Sequence, residues 1–305
     1  LLIKHPDPAP FWVAATEATG EERARRMFIE AARWSDDAKG TIHDRPLWHS
    51  ARWAIAARNA PPEIRAAAEA RGDNPAGNAI EALVLNFATL SSAEAKPDER
   101  ALALGWVLHI VGDIHQPLHV SDFFSKEHPV GNAAGTLEYV ADPLGDSTMP
   151  LHILWDSNSL RSTKLADVDR SANQLTEKYP RSSFPELSGE PDAFRKWARE
   201  SYQVAKDFAY GYGIETVSDP NTDVDPERLV ANMVKYILFG ISPVDKAPEV
   251  PAEYWEKLQD VAHRRITLAG YRLADLVMTA ADRIFAERAL AGKVLDAMQR
   301  HGTQK

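Results

Sequence analysis

The sequence predicts an all-α protein, a single mostly helical domain with at most a short strand or hairpin near residues 135–142. Three observations support this class. Prolines and capping residues begin several segments, and glycine or proline ends them. Aromatic residues such as Trp197, Tyr202 and Phe208 recur at helical spacing and are expected in the core. His and Asp also stand four apart in two apolar segments, the spacing of one helical face.

The helices predicted in the first half follow from these signals. Residues 19–39 begin with a capping-box pattern and end before Gly40, which places Asp36 in the last turn. Asn74 and Pro75 predict a helix through about Ser91. The predictions further along the chain are helices over 97–116 and 151–160, a weakly alternating segment over 135–142, helices opening at Pro191, Pro226 and Pro251 (the last to about Leu276), a loop over 211–225 and a tail over 289–305 that is helical at first.

The apolar helix predicted before Pro117 carries His109 and Asp113, one turn apart on the same face. A carboxylate is costly to bury in apolar surroundings unless its charge is compensated. A divalent metal compensates it, and imidazole with carboxylate is a zinc-type donor set. The same spacing recurs at His152 and Asp156 among large apolar residues.

Three more candidate ligands, Asp36, His49 and His119, stand beside bulky or aromatic neighbours. With the two pairs they make seven, and because one zinc takes about four ligands, seven imply at least two metals. Either pair alone could equally be a hydrogen-bonded His/Asp pair or a satisfied core histidine. His115 points away from the face of His109 and is interpreted as structural. Five further histidines are expected at the surface: His5, His43, His128, His263 and His301.

The string from His109 to His119, His-x-x-x-Asp-x-His-Gln-Pro-Leu-His, resembles the zinc-dependent single-strand nucleases of the S1/P1 type, which are related to bacterial zinc phospholipases C. The resemblance extends over about residues 28–276, through Trp34-Ser35-Asp36-Asp37, Trp48-His49 and the segment 264–274. It implies a trinuclear zinc cluster in a helical fold. Asp36, His49, His109 and Asp113 would hold one zinc; His119, His152 and Asp156 would hold a second; Asp113 would bridge to a third.

The third zinc of the family is held by an N-terminal Trp and a His a few residues later. This chain begins Leu1-Leu2-Ile3-Lys4-His5 and has no such Trp. We expect the family's opening segment to lie upstream of Leu1, with loss of the third site as the alternative. The residues 1–305 are otherwise expected to form one nuclease-like domain.

The resemblance also implies roles at the reaction centre. Asp36, Lys39 and Asp113 would be catalytic, with Lys39 stabilising charge on the phosphate. Substrate contacts would come from Lys39 and Asn132, and also from Arg52, whose positive charge departs from the family pattern and favours phosphate contacts. Lys39 could equally be a solvated helix C-terminal cation, and Asn132 a turn residue. The aromatic and acidic residues that usually follow the His49 position and hold a base are Ser50 and Arg52 here, so base preference does not carry over.

Net charge and composition limit which substrates and surroundings suit the protein. The net charge of −9 is unfavourable for holding a long duplex on a basic face, which favours single-stranded DNA or RNA, or nucleotides. The absence of Cys excludes disulfides and thiolate zinc sites. No apolar run is long enough to span a membrane. The family is usually exported, so a secreted or periplasmic location is expected.

Three functions remain open from the sequence. The first is a zinc-dependent endonuclease and 3′-nucleotidase that releases 5′-nucleotides from single strands. The second is a zinc phospholipase C-like phosphodiesterase, which uses the same metals and differs only in its pocket. The third is a non-catalytic member with an incomplete metal cluster, which the missing N-terminal ligands and the substituted residues Ser50 and Arg52 would favour.

Overall fold

A computed structural model of the chain describes residues 19–162, 164–190, 192–211, 213–219, 236 and 240–302. The described chain is mostly helical with a few short strands, as predicted for the all-α class. Its α-helices are α1 (Gly20–Asp37), α2 (Pro62–Ala70), α3 (Ala79–Ser91), α4 (Pro97–Asp113), α5 (Leu151–Ser157), α6 (Leu165–Lys178), α7 (Phe194–Val204) and α8 (Ala252–Gly302). Its strands are β1 (Trp53–Ala56), β2 (Ser121–Phe124), β3 (Glu138–Ala141), β4 (Thr148–Pro150) and β5 (Val217–Ser218).

Helix α4 lies at the centre of the largest core cluster because it is apolar on nearly every side. Helix α1 packs on it through a stripe at helical spacing that includes Met27, Ala31 and Trp34. Helix α3 packs on it through Leu83 and Phe87. A helix buried all round provides a rigid base for the two polar side chains near its C-terminus.

Two short parallel strands, β1 and β2, bring distant parts of the chain together, with Trp53 opposite Ser121. Each strand follows a short 3-10 turn, Pro46–His49 or Pro117–Val120. The Ala51 N–H donates to the His119 carbonyl at 3.0 Å, so the pairing continues back towards both turns. The parallel register therefore places the ends of these two turns side by side.

The predicted strand or hairpin near 135–142 is confirmed. Strand β3 pairs antiparallel with β4, and β4 continues directly into α5. Before β3 the chain turns sharply through Ala133 and Ala134, which have φ of 51° and 61°. This left-handed conformation costs roughly 1–2 kcal/mol per residue without glycine, so strong local contacts must hold it.

Several boundaries differ from the sequence prediction. The helix predicted from Asn74 begins at Ala79, because Ala76 pairs instead with Arg52 in an isolated antiparallel bridge. The helix predicted to end near Leu276 continues to Gly302, since residues 277–301 contain no proline and a single glycine, Gly292. The helix predicted over 151–160 ends at Ser157, and the one predicted at Pro191 begins at Phe194.

The sequence prediction missed α2, α6, β1, β2, β4 and β5, and β5 lies inside the predicted loop 211–225. His128 was expected at the surface but is buried. Its Nε2 lies within hydrogen-bond distance of Ser218 Oγ of β5, at 3.1 Å, so the contact with β5 helps to cover the ring. Trp197 and Phe208 are buried in the core as predicted. Three predictions lie outside the described residues: the N-terminal segment with His5, the helix at Pro226 and the last residues of the tail, 303–305.

Candidate metal centre

The first group of candidate ligands joins three elements. Asp36 comes from the last turn of α1, His49 from the turn before β1 and His109 from α4. His49 Nδ1 and His109 Nε2 are 2.9 Å apart, and Asp36 Oδ1 lies 3.8 Å and 3.9 Å from these nitrogens. The three residues are 73 positions apart at the extremes, so the packing of α1 on α4 assembles this group.

The second group comes from the turn before β2 and from α5. His119 Nε2 lies 3.4 Å from Asp156 Oδ1, and His152 Nε2 lies 3.4 Å from Asp156 Oδ2. The rings of His119 and His152 are 4.6 Å apart. One carboxylate therefore faces two imidazoles, with His152 and Asp156 one turn apart on α5 as the sequence predicts.

Asp113 lies between the two groups at the end of α4. Its Oδ2 atom is 3.2 Å from His109 Nε2, 3.5 Å from His49 Nδ1 and 4.0 Å from His119 Nδ1. Parallel pairing of β1 and β2 brings His49 and His119 together at this point. The structure thus gathers the other six predicted ligands in two groups beside the Asp113 carboxylate.

Backbone carbonyls set the direction of the rings. The Nδ1 atom of His109 lies 2.9 Å from the Ala32 carbonyl, and that of His119 lies 2.7 Å from the His49 carbonyl. His152 Nδ1 lies 2.8 Å from the carbonyl of Ala134, in the strained turn. Because each Nδ1 is the N–H that donates to a carbonyl, each Nε2 faces the centre and offers its lone pair to a metal when the ring is neutral, the arrangement typical of metal-binding histidines.

The donor spacing suits zinc. Tetrahedral zinc with bonds of about 2.0–2.1 Å places its ligand atoms about 3.3 Å apart, close to most of the distances given above. Asp113 Oδ2 is buried and accepts no hydrogen bond of normal geometry from the described residues. A buried oxygen that faces two imidazole nitrogens without a hydrogen bond fits a cation at this point.

The carboxylates create a negative electrostatic field in a largely buried site. Burial lowers the pKa of His109 and His119, but Asp113 raises both, with Asp36 acting on His109 and Asp156 on His119, to about 9 and about 10. Burial raises the pKa of Asp113 and Asp156, but the facing histidines hold that of Asp113 well below its usual range and that of Asp156 at about 2. This field attracts positive charge, and a bound divalent cation would neutralise it.

The three predicted substrate contacts are placed differently. Lys39 is exposed and its Nζ lies 2.9 Å from Asp36 Oδ1, beside the first group. Arg52 is half-buried, and its Nε has no hydrogen-bond partner among the described residues. Asn132 is fully buried: its Oδ1 accepts from the Phe123 and Gly135 N–H groups, and its Nδ2 donates to Glu138.

Gln116 is a site residue that sequence reasoning missed. Its Nε2 donates to Asp156 Oδ1 at 2.8 Å and so orients a candidate ligand. The signal was present, because Gln116 lies inside the specific string between Asp113 and His119. A cavity of about 170 Å³ adjoins the ligands here; its lining includes Asp113, Gln116, His119, Asp156, Ser159 and Ile266.

Comparison with known proteins identifies the family of this chain. Residues 12–282 match the family model described as S1/P1 Nuclease. Over 247 residues the chain is 26% identical to Nuclease S1 of Aspergillus oryzae, in an alignment that covers 80% of this chain and 75% of that protein. The family is one of nucleases. The chain belongs to the S1/P1 nuclease family, which confirms the resemblance carried by its His-rich string.

Proposed function

We propose that this nuclease is zinc-dependent and hydrolyses phosphodiester bonds of single-stranded DNA or RNA, with a 3′-nucleotidase activity that releases 5′-nucleotides. One observation carries the proposal: two groups of imidazole and carboxylate donors meet around Asp113 at zinc-compatible spacing. Similarity to Nuclease S1 of Aspergillus oryzae supports a nucleic-acid substrate. The family resemblance further suggests a secreted or periplasmic protein. Among the described residues, none of the helices combines the length and apolar character that crossing a membrane needs.

Asp36, His49, His109 and Asp113 would hold one zinc, and His119, His152 and Asp156 a second. When bound, zinc polarises phosphate oxygens and lowers the pKa of bound water. The protein's contribution is to hold the ligands still. The carbonyls of Ala32, His49 and Ala134 fix three rings, as Gln116 fixes Asp156. Second-layer hydrogen bonds of this kind are worth roughly 10- to 100-fold in metal affinity or activity.

Two cations of the chain would bind the substrate. Lys39 is 60% exposed at the side-chain level and pairs only with Asp36 among the described residues, so it can turn towards a phosphate beside the first group. An ammonium at this place would stabilise negative charge that develops on the phosphate. Arg52 would contact a neighbouring phosphate, because its guanidinium carries donors in a fixed fork.

The site favours flexible substrates. The side chains of His49, His109, His119 and His152 are only 10–15% exposed, whereas Asp36 and Asp156 are 47% and 37% exposed. The ligands therefore lie below the surface and open to solvent at two carboxylates. A single strand can bend its phosphate into such a recess, whereas a stiff duplex cannot.

The test compares three substrates on the zinc-loaded protein: a single-stranded oligonucleotide, the same sequence as a duplex, and a short-chain phosphatidylcholine. We expect the single strand to be cut fastest. His152→Ala should lower that rate at least about 100-fold, while His263→Ala, which changes a histidine near Lys178 and Asp260, should leave it unchanged. Turnover of the lipid alone would favour the phospholipase-type function, and no turnover with zinc bound would favour a non-catalytic role.

A further inference from the structure

A buried charged cluster joins the end of α4 to α7 and α8. It contains residues of the C-terminal segment 264–274 that the sequence marked without assigning them a role. Its polar members are His115, Glu200, Ser201, Arg265 and Arg272. The cluster adjoins the candidate metal centre because His115 is two residues after Asp113 and four before His119.

Arg272 connects three parts of this cluster. Its side chain is 2% exposed. Its two terminal nitrogens contact both carboxylate oxygens of Glu200, at 2.7 Å and 2.9 Å, and one of them lies 2.9 Å from His115 Nε2. The other donates to the Glu186 carbonyl at 3.2 Å. A planar guanidinium can satisfy these partners together, whereas a lysine ammonium cannot keep this fork geometry.

His115 transmits this arrangement to α4. Its Nδ1 lies 2.7 Å from the Val111 carbonyl, in the last turn of the helix. Because arginine only donates hydrogen bonds, Nε2 of His115 must accept the bond from Arg272, and Nδ1 must carry the proton. The imidazole is therefore a neutral link with a fixed orientation between Arg272 and the turn that ends in Asp113.

The same stretch is held by its backbone as well. Ser201 Oγ donates to the Ile114 carbonyl at 2.6 Å, and Arg265 Nε donates to the His115 carbonyl at 3.2 Å. Arg265 is also bonded to Ser201. The next residue is Gln116, which orients Asp156. Every residue from Ile114 to Gln116 thus has a contact that fixes the path of the chain between two candidate ligands.

We propose that Arg272 is a positioning residue for the metal centre. It holds the His115 ring, Arg265 holds the adjoining backbone, and together these contacts fix the positions of Asp113 and His119. This inference rests on the proposed zinc site. Positive charge at the end of α4 also suits the negative end of the helix dipole, so the same two arginines stabilise the turn that they orient.

The test compares Arg272→Lys with Arg264→Lys. Arg264 is a matched control: it lies on the same helix and contacts Glu186 at 2.9 Å and 3.1 Å, and no contact joins it to residues 114–119 among the described side chains. The full chain is loaded with zinc, and zinc retention is measured against rising chelator well below the melting temperature. We expect Arg272→Lys to lose zinc at roughly 10- to 100-fold lower chelator concentration, and Arg264→Lys to match the wild type.

The melting temperature of the metal-free protein separates positioning from general stability. If Arg272→Lys lowers that temperature but retains zinc like the wild type, the residue is only structural and the proposal is overturned. His115→Phe leaves the ion pair of Arg272 and Glu200 in place, so it is the variant to use if Arg272→Lys fails to fold. This variant should also lose zinc at lower chelator concentration than the wild type, and unchanged zinc retention would overturn the proposal. A wild-type chain that takes up no zinc would overturn the metal centre itself.

Discussion

At the scale of the residue, the site depends on which atom each side chain presents. Spacing in the sequence identified His109 and Asp113, and separately His152 and Asp156, as pairs on one helical face. The carbonyls that orient the rings were beyond such reasoning, because Ala32 and Ala134 are 77 and 18 positions from the histidines they contact. Asn132 shows the same limit, since its buried amide is occupied by Glu138 and two backbone N–H groups.

Lys39→Ala should lower kcat on a single-stranded oligonucleotide by about 10- to 100-fold, less than the loss of a fully buried oxyanion donor because Lys39 is exposed. Its zinc content should stay the same, since Lys39 is a neighbour of Asp36 rather than a ligand. The matched control is Lys96→Ala, which removes another lysine with an i,i+3 acidic partner. Equal kcat for the two variants would show that Lys39 is only a solvated surface cation.

Arg52→Ala should raise KM on nucleic acid more than it lowers kcat, because a group that binds substrate and transition state alike affects binding first. The activity of the wild type should fall with salt, and less steeply in the variant, since one phosphate contact is gone. Arg58→Ala, an exposed arginine nearby in the chain, controls for the change in net charge. A fall in kcat that is larger than the rise in KM would contradict a pure binding role.

At the scale of the element, the helices were predictable where the sequence carries its own signals. Pro97 begins α4, and Asp36 lies in the last turn of α1, as capping and glycine signals indicate. The parallel pair β1 and β2 was not predictable, because four-residue strands gain their stability from a partner 68 positions away. The early start predicted for α3 failed for the same reason, since Ala76 is held by Arg52.

Glu138 on β3 gives a signed prediction of pH dependence. Burial raises its pKa to about 7, although Asn132 and Thr216 donate hydrogen bonds to it. A folded pKa above the unfolded value means that this contribution to stability is present below about pH 4.3 and is lost as pH rises through about 7. Glu138→Gln keeps an acceptor for Asn132 and should be more stable than the wild type at pH 8, by roughly 1–3 kcal/mol.

Denaturant unfolding between pH 4 and pH 8 measures this. Glu69→Gln, an exposed glutamate on α2 that does not act on Glu138, is the control and should follow the wild type. The difference in free energy of unfolding between Glu138→Gln and the wild type should grow with pH. A difference that does not change over this range would contradict the raised pKa of Glu138.

At the scale of the whole molecule, a chain of net charge −9 concentrates negative charge where two ligand groups meet. The raised pKa values of His109 and His119, about 9 and about 10, mean that both are protonated at pH 7 before metal binds. Zinc requires neutral imidazole. Uptake of zinc at pH 7 should therefore release protons, which calorimetry in buffers of different ionisation enthalpy measures. Zinc uptake without any proton release would contradict the raised pKa values of His109 and His119.

Chelation should also lower the melting temperature, because metal that binds only the folded chain stabilises it. Zinc binding should weaken as pH falls through about 10 and about 9, the pKa values of His119 and His109, because protons compete with the metal for these rings, and zinc and activity should be lost at acid pH. Re-addition of zinc at neutral pH should restore both. An unchanged melting temperature after proven removal of zinc would exclude a structural role for the metal.

The most direct test of the central claim is the zinc content of the folded chain, measured by elemental analysis after extensive dialysis. Two groups of donors around Asp113 predict at least two zinc ions per chain in the wild type, and about one fewer in His152→Phe, which removes a ligand of the second group. A folded wild-type chain that retains less than one zinc, or a His152→Phe variant with unchanged zinc content, would contradict the metal centre on which this account rests.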